Sequence, residues 1–125
     1  LNKKINLIQS NWFQRLHNKF DLIVSNPPYI KKDDLAKLSK EVLYDPLISL
    51  EGGLTGLRSY FKIAKDVHKH LKKDGFVILE IGFDQLKQVD NIFLNQGFQR
   101  ILKEKDLQGI DRVVVYQYKS TKYIV

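Results

Sequence analysis

The densest piece of chemistry in the sequence is Asn26-Pro27-Pro28-Tyr29. The Asn26 side chain offers an acceptor oxygen, and the backbone carbonyl of Pro27 offers another close by. Two neighbouring acceptors suit an NH2 group, which brings two donors. The two prolines fix two φ angles, so little of the loop remains to be ordered when a ligand arrives. Tyr29 can lie flat against a planar group. The plainer reading of the same residues is a rigid turn with one exposed aromatic. A second signal is Gln9-Ser10-Asn11-Trp12-Phe13. Trp12, the one tryptophan of the chain, could pack against an adenine ring while Asn11 hydrogen-bonds the ring's edge. A core aromatic beside a turn-forming Asn fits that segment equally well.

The surrounding elements must hold these residues in place. Residues 21–25 are a nearly continuous apolar run, as in a buried parallel strand, and the prolines end it. Residues 5–9 read as a shorter strand before it. Ligands of open α/β sheets sit beyond the carboxyl ends of strands, so both signals are expected at that edge. A lysine-rich stretch follows, with a short helix opening at Asp33 and a glycine loop over residues 51–56. Leu57, Tyr60, Phe61, Ala64, Val67, His68 and Leu71 then recur at helical spacing. Lys62, Lys65, Lys69 and Lys72 lie on the other side. Lys72 and Lys73 suit the negative end of that helix, and Gly75 is its expected stop. Residues 76–81 predict a third buried strand. Asp84 is placed to cap a helix carrying Leu86, Val89, Ile92 and Phe93, stopped by Gly97. Residues 98–104 and 110–118 predict antiparallel strands joined around Gln108-Gly109. Alternating strands and helices imply an α/β fold with a parallel sheet, finished here by an antiparallel pair.

The 125 residues suffice for one domain with a real core. No apolar run reaches the roughly 20 residues of a membrane span, and no signal peptide is read at the N-terminus. The chain does not open with Met, which fits a piece of something longer. With no cysteine there is no disulfide, thiolate nucleophile or Cys-based zinc site, in keeping with a cytoplasmic location. His68 and His70 are two apart in a helical pattern and face different ways, so no metal is expected. The net charge of +7 attracts acidic partners, nucleic acid included, although a solvated basic face explains it as well. Glu51 and Glu80 could each face the site or serve the fold.

An apolar strand, then Asn-Pro-Pro-Tyr, then Ile resembles the motif of methyltransferases acting on planar, weakly basic nitrogens: the exocyclic amine of adenine or the amide of glutamine. An amide nitrogen is a poor nucleophile because its lone pair is delocalised. Fixing both N–H groups on Asn26 and Pro27 turns that lone pair toward the methyl donor, and such positioning is worth roughly 7–11 kcal/mol of barrier. From residue 5 to 118 the chain resembles the HemK/PrmC family, the protein-(glutamine-N5) methyltransferases of peptide-chain release factors. The strings that carry this include Gln9-Ser10-Asn11-Trp12-Phe13, residues 20–30, Glu41-Val42, Tyr44-Asp45-Pro46, Gly52-Gly53 to Gly56-Leu57, Leu79-Glu80-Ile81-Gly82 and residues 106–112.

The resemblance implies the C-terminal portion of a class I, Rossmann-like methyltransferase sheet that uses S-adenosylmethionine. The partner is a class 1 release factor, and the acceptor is the glutamine of its Gly-Gly-Gln loop. Asn26 and Pro27 are the implied catalytic positions. Asn26, Pro27, Pro28 and Tyr29 bind the glutamine; Trp12, Asn11 and Asn26 bind the cofactor. The family usually carries Asp where this chain has Asn11. The family's N-terminal docking domain, its strand ending in a glycine-rich loop and its strand ending in an acidic ribose ligand have no counterpart here. Residues 1–125 therefore read as part of a catalytic domain whose N-terminal strands are missing, and the piece alone is expected to bind cofactor weakly and to be inactive. The rival readings are a nucleic-acid amine methyltransferase and a non-catalytic binding module.

Overall fold

The structure is a computed structural model that describes residues 4–28 and 56–119. Strand β1 (Phe20–Ser25) comes first. Helix α1 (Arg58–Asp66) continues as a 3-10 turn (Val67–His70) into strand β2 (Leu71–Glu80). Helix α2 (Leu86–Leu94) leads to strands β3 (Phe98–Lys105) and β4 (Asp111–Tyr118). The sheet order is β1-β2-β4-β3. β1 and β2 are parallel, and β4 is antiparallel to both β2 and β3. Three strands thus run one way and β4, slotted between β2 and β3, runs the other.

The hydrophobic periodicity explains how the layers pack. Tyr60, Ile63, Ala64 and Val67 make an i, i+3, i+4, i+7 stripe, and all four are buried. Along β2, Val77, Leu79 and then Ile81 just past its end are buried, while Phe76, Ile78 and Glu80 between them are half-buried. Both helices cover the same face. Phe93 of α2 stacks on Tyr116 of β4 at 4.5 Å and meets Phe98 edge-on at 5.4 Å. The Tyr116 hydroxyl donates to Asp90 at 2.6 Å, and Arg100 pairs with the same carboxylate at 3.2 Å. Burial, with Asp90 beside it, drives the Tyr116 hydroxyl strongly toward its neutral form.

Several expectations are corrected. Residues 5–9 are not a strand; Ile5 and Leu7 are largely exposed. No described strand lies on the outer side of β1 to receive them, and an unpaired segment gains no ladder bonds. β1 itself is not buried, since Leu22 and Val24 are 49% and 65% exposed, because no described element covers its second face. The long helix ends at Asp66, so Leu71, Lys72, Lys73 and Gly75 belong to β2. Ring stacks of His70 on Phe13 (4.8 Å) and His68 on Tyr118 (5.5 Å) hold the tightened turn between them, and tertiary contact overrides helical periodicity. Inside β2, Asp74 takes φ 62° where the pairing jumps from Phe20–Leu71 to Leu22–Phe76. A Cβ on Gly75 would come within 2.9 Å of the Lys72 carbonyl oxygen and 3.2 Å of the Asp21 one, so only glycine fits. Gln85, not Asp84, stands at the start of α2. Gly97 ends that helix region with φ 88°, as expected. Asp33, Glu41, Tyr44 and Glu51 lie outside the described residues.

Candidate active site

β1 delivers Asn26, Pro27 and Pro28 past its carboxyl end, where Ser25 pairs with Leu79. Pro27 is buried and its neighbours Asn26 and Pro28 are exposed. Tyr29 lies outside the described residues.

Two buried polar side chains frame this rim, and sequence reasoning gave neither a role there. The Tyr60 hydroxyl donates to the Glu80 carbonyl at 2.9 Å, fixing the first turn of α1 to the carboxyl end of β2. The backbone, not the side chain, of Glu80 is used in this contact. Gln85 is 2% exposed and its carboxamide works at both ends. Its oxygen accepts from the Gly82 N–H at 2.8 Å, and its nitrogen donates to the Gly56 carbonyl at 3.3 Å. The loop after β2 and the loop before α1 are thereby clamped together at the carboxyl edge. The Ile81 N–H, donating to the Arg112 carbonyl at 2.8 Å, ties the rim to β4. Tyr60 was legible only as one of a helix's apolar stripe, and a glutamine just ahead of a helix carries no signal of burial.

Asn11 and Trp12 are not brought to Asn26. The turn over residues 11–15 lies against the far half of α1, with Phe13 stacked on His70 just before β2 begins. That is the amino end of the sheet. β1, Phe20–Ser25, runs from that end toward Asn26. Among the described residues, residues 5–9 pair with no strand, so the two signals are not placed together at the carboxyl edge.

The described residues place an exposed Asn26 beside a buried Pro27 just past the carboxyl end of β1. They form no cradle for the amino-acid and ribose groups of S-adenosylmethionine: among the described residues, no strand of the parallel set ends in a G-x-G turn. No cluster of metal-binding side chains occurs among them, and no helix there is long and apolar enough to cross a membrane.

Comparison with known proteins agrees with the fold and narrows the chemistry. The family model described as Eco57I restriction-modification methylase matches residues 1–110. A release factor glutamine methyltransferase of Agrobacterium fabrum is 44% identical over 118 residues, covering 94% of this chain and 41% of that protein. The chain therefore spans about two fifths of that curated relative's length. The solved structure of a ribosomal protein L11 methylase from Lactobacillus delbrueckii subsp. bulgaricus shares the fold, with TM-score 0.60 and 22% identity over 92% of this chain and 45% of that one. That of a release factor-specific protein-(glutamine-N5) methyltransferase from Alicyclobacillus acidocaldarius gives TM-score 0.50 and 30% identity, over 81% of this chain and 50% of that one. The four-stranded mixed sheet is thus a class I methyltransferase fragment. The chain belongs to the methylase family whose model it matches, and proteins named release factor glutamine methyltransferase are among the relatives it resembles.

Proposed function

We propose that this chain is the acceptor-holding part of a methyltransferase that moves a methyl group from S-adenosylmethionine to the side-chain amide nitrogen of a release-factor glutamine. The observation that carries the reading is the exposed Asn26 set on a buried Pro27 at the sheet's carboxyl rim. S-adenosylmethionine supplies an activated methyl group. The chain's own contribution is to hold. The Asn26 oxygen accepts one N–H of the amide and the Pro27 carbonyl accepts the other, and the resemblance assigns Pro28 and Tyr29 to binding the same glutamine. With both protons engaged, the nitrogen cannot rotate and its lone pair faces the donor, which turns a bimolecular encounter into an oriented one. The glutamine target is supported by the names of the Agrobacterium fabrum relative and of the Alicyclobacillus structure. Adenine in DNA is the rival acceptor, because the matched family model is that of a restriction-modification methylase.

The test grafts this chain in place of the matched segment of the Agrobacterium fabrum protein, so that the remaining length is supplied. Peptide mass spectrometry after incubation with release factor and donor is expected to find one added methyl on the Gly-Gly-Gln glutamine. Asn26→Ala in the same graft is expected to cut the rate by at least about 100-fold with the fold intact, the loss typical of a misplaced reactant. Methylated DNA with unmodified release factor would overturn the glutamine assignment.

A further inference from the structure

The carboxyl edge of the sheet carries more than the Asn26 rim. β3 runs parallel to β1 and β2, so the loop after β2 and the turn after β3 open on the same edge. Each presents one large apolar side chain to solvent: Phe83 is 58% exposed and Leu107 is fully exposed. We propose, resting on the glutamine reading, that Phe83 and Leu107 form a docking ridge beside Asn26 for an apolar stretch of the acceptor protein's polypeptide.

Single apolar residues scattered on a surface need no explanation, but these two share an edge and both are held in place. Leu107 stands at the tip of the β3–β4 turn. The Asp106 carboxylate there accepts from the backbone N–H groups of Gln108 and Ile110 and from Arg112, and the Gly109 N–H donates to the Asp106 carbonyl at 3.0 Å. Phe83 follows Gly82, which the buried Gln85 holds twice: its carboxamide oxygen accepts from the Gly82 N–H at 2.8 Å, and its backbone N–H donates to the Gly82 carbonyl at 3.2 Å. A leucine left fully in water on so braced a turn adds nothing to the core. An apolar anchor that is already ordered loses little freedom when a partner covers it, and few such anchors carry most of an interface's energy.

Charge chooses the partner. Lys62, Lys65 and Lys69 line a groove with Trp12 and His70 toward the amino end of the sheet, away from this edge. Beside the ridge, Arg112 pairs with Asp106 at 3.1 Å and Lys103 with Asp111 at 3.5 Å, and Asp84 next to Phe83 is exposed. A nucleic acid would bring its phosphates to these carboxylates and leave Leu107 without a use. A polypeptide brings apolar side chains that need no neutralising. A methyl acceptor within a protein also has chain on either side of it. With its amide at Asn26, that chain runs across the ends of β2 and β4 to reach Leu107, because the sheet order is β1-β2-β4-β3.

The test uses the graft into the Agrobacterium fabrum protein with two acceptors, intact release factor and a short peptide centred on its Gly-Gly-Gln loop. Leu107→Ser is expected to raise KM for release factor several-fold, and Phe83→Ser with Leu107→Ser at least about tenfold, with kcat, KM for S-adenosylmethionine and the urea midpoint unchanged. Leu107→Met should keep the parent's KM. The short peptide, which does not reach the ridge, should show no rise. Leu94→Ser, at an exposed leucine closing α2, should change neither constant. A double variant with the parent's KM for release factor overturns the ridge while leaving the glutamine reading intact. An equal rise for the short peptide also overturns it, since both side chains would then serve the amide pocket. A graft that leaves the glutamine unmodified removes the ridge and the glutamine reading together.

Discussion

Asp106 shows how much one half-buried carboxylate can organise. It accepts from the backbone N–H groups of Gln108 (2.8 Å) and Ile110 (3.0 Å) and from the Arg112 guanidinium (3.1 Å), closing the β3–β4 turn. The Ile110 N–H is the largest influence, and with the help of Arg112 and Gln108 it holds the carboxyl below its ordinary 3.8. A depressed folded-state pKa stabilises the fold at pH above the unfolded value, and that contribution drains away as pH falls through the folded one. Asp106→Asn should therefore lower stability at pH 7 and lose less of the remainder on acidification below about pH 4, read from urea midpoints at a series of pH values. A midpoint difference that stays constant down to pH 2 would contradict this. At the same scale, the end of β1 just before Asn26 was legible because two prolines after an apolar run leave few conformations open. The placement of the turn over residues 11–15 was not, since a lone aromatic after a weak strand does not say which element will accept that segment.

α1 and α2 were legible from their apolar spacing, and their ends were less so. Periodicity carries through residue 71, but the chain leaves the α-helix at Asp66 because Phe13 and Tyr118 hold His70 and His68 from outside the helix. Partners distant in sequence leave no trace in a local pattern. Gln85 is the same case for α2: its carboxamide bonds back to Gly82 and across to Gly56. Gln85→Leu fills similar space but strands a buried N–H and a carbonyl, at about 1–3 kcal/mol for each unsatisfied group. A drop in the urea midpoint with an unchanged slope is expected. A midpoint equal to the parent's would show that the clamp between the two loops does not matter.

At the scale of the whole, the described residues form a sheet with one covered face. Helices cover one side, and the described residues leave Leu22 and Val24 open on the other and β1 without an outer neighbour. Parallel sheets ordinarily have both faces buried. The same geometry supplies the acceptor side of a methyl-transfer site without a cofactor cradle. Calorimetric titration of the 125-residue chain with S-adenosylmethionine should therefore give no saturable heat at micromolar concentrations, whereas the Agrobacterium graft should bind. Micromolar affinity in the chain alone would mean that it builds a cradle of its own. The sequence by itself determined the α/β order, the antiparallel closing pair, the core stripe of α1 and the stiff Asn-Pro-Pro rim, because each follows from short-range spacing, proline geometry or glycine turns. Only the tertiary structure decided that β4 lies inside the sheet, that Gln85 and Tyr60 brace the rim, and that Trp12 sits with lysines at the opposite end. Those outcomes depend on which surfaces far apart in the chain are free to meet, and a one-dimensional pattern does not contain that information.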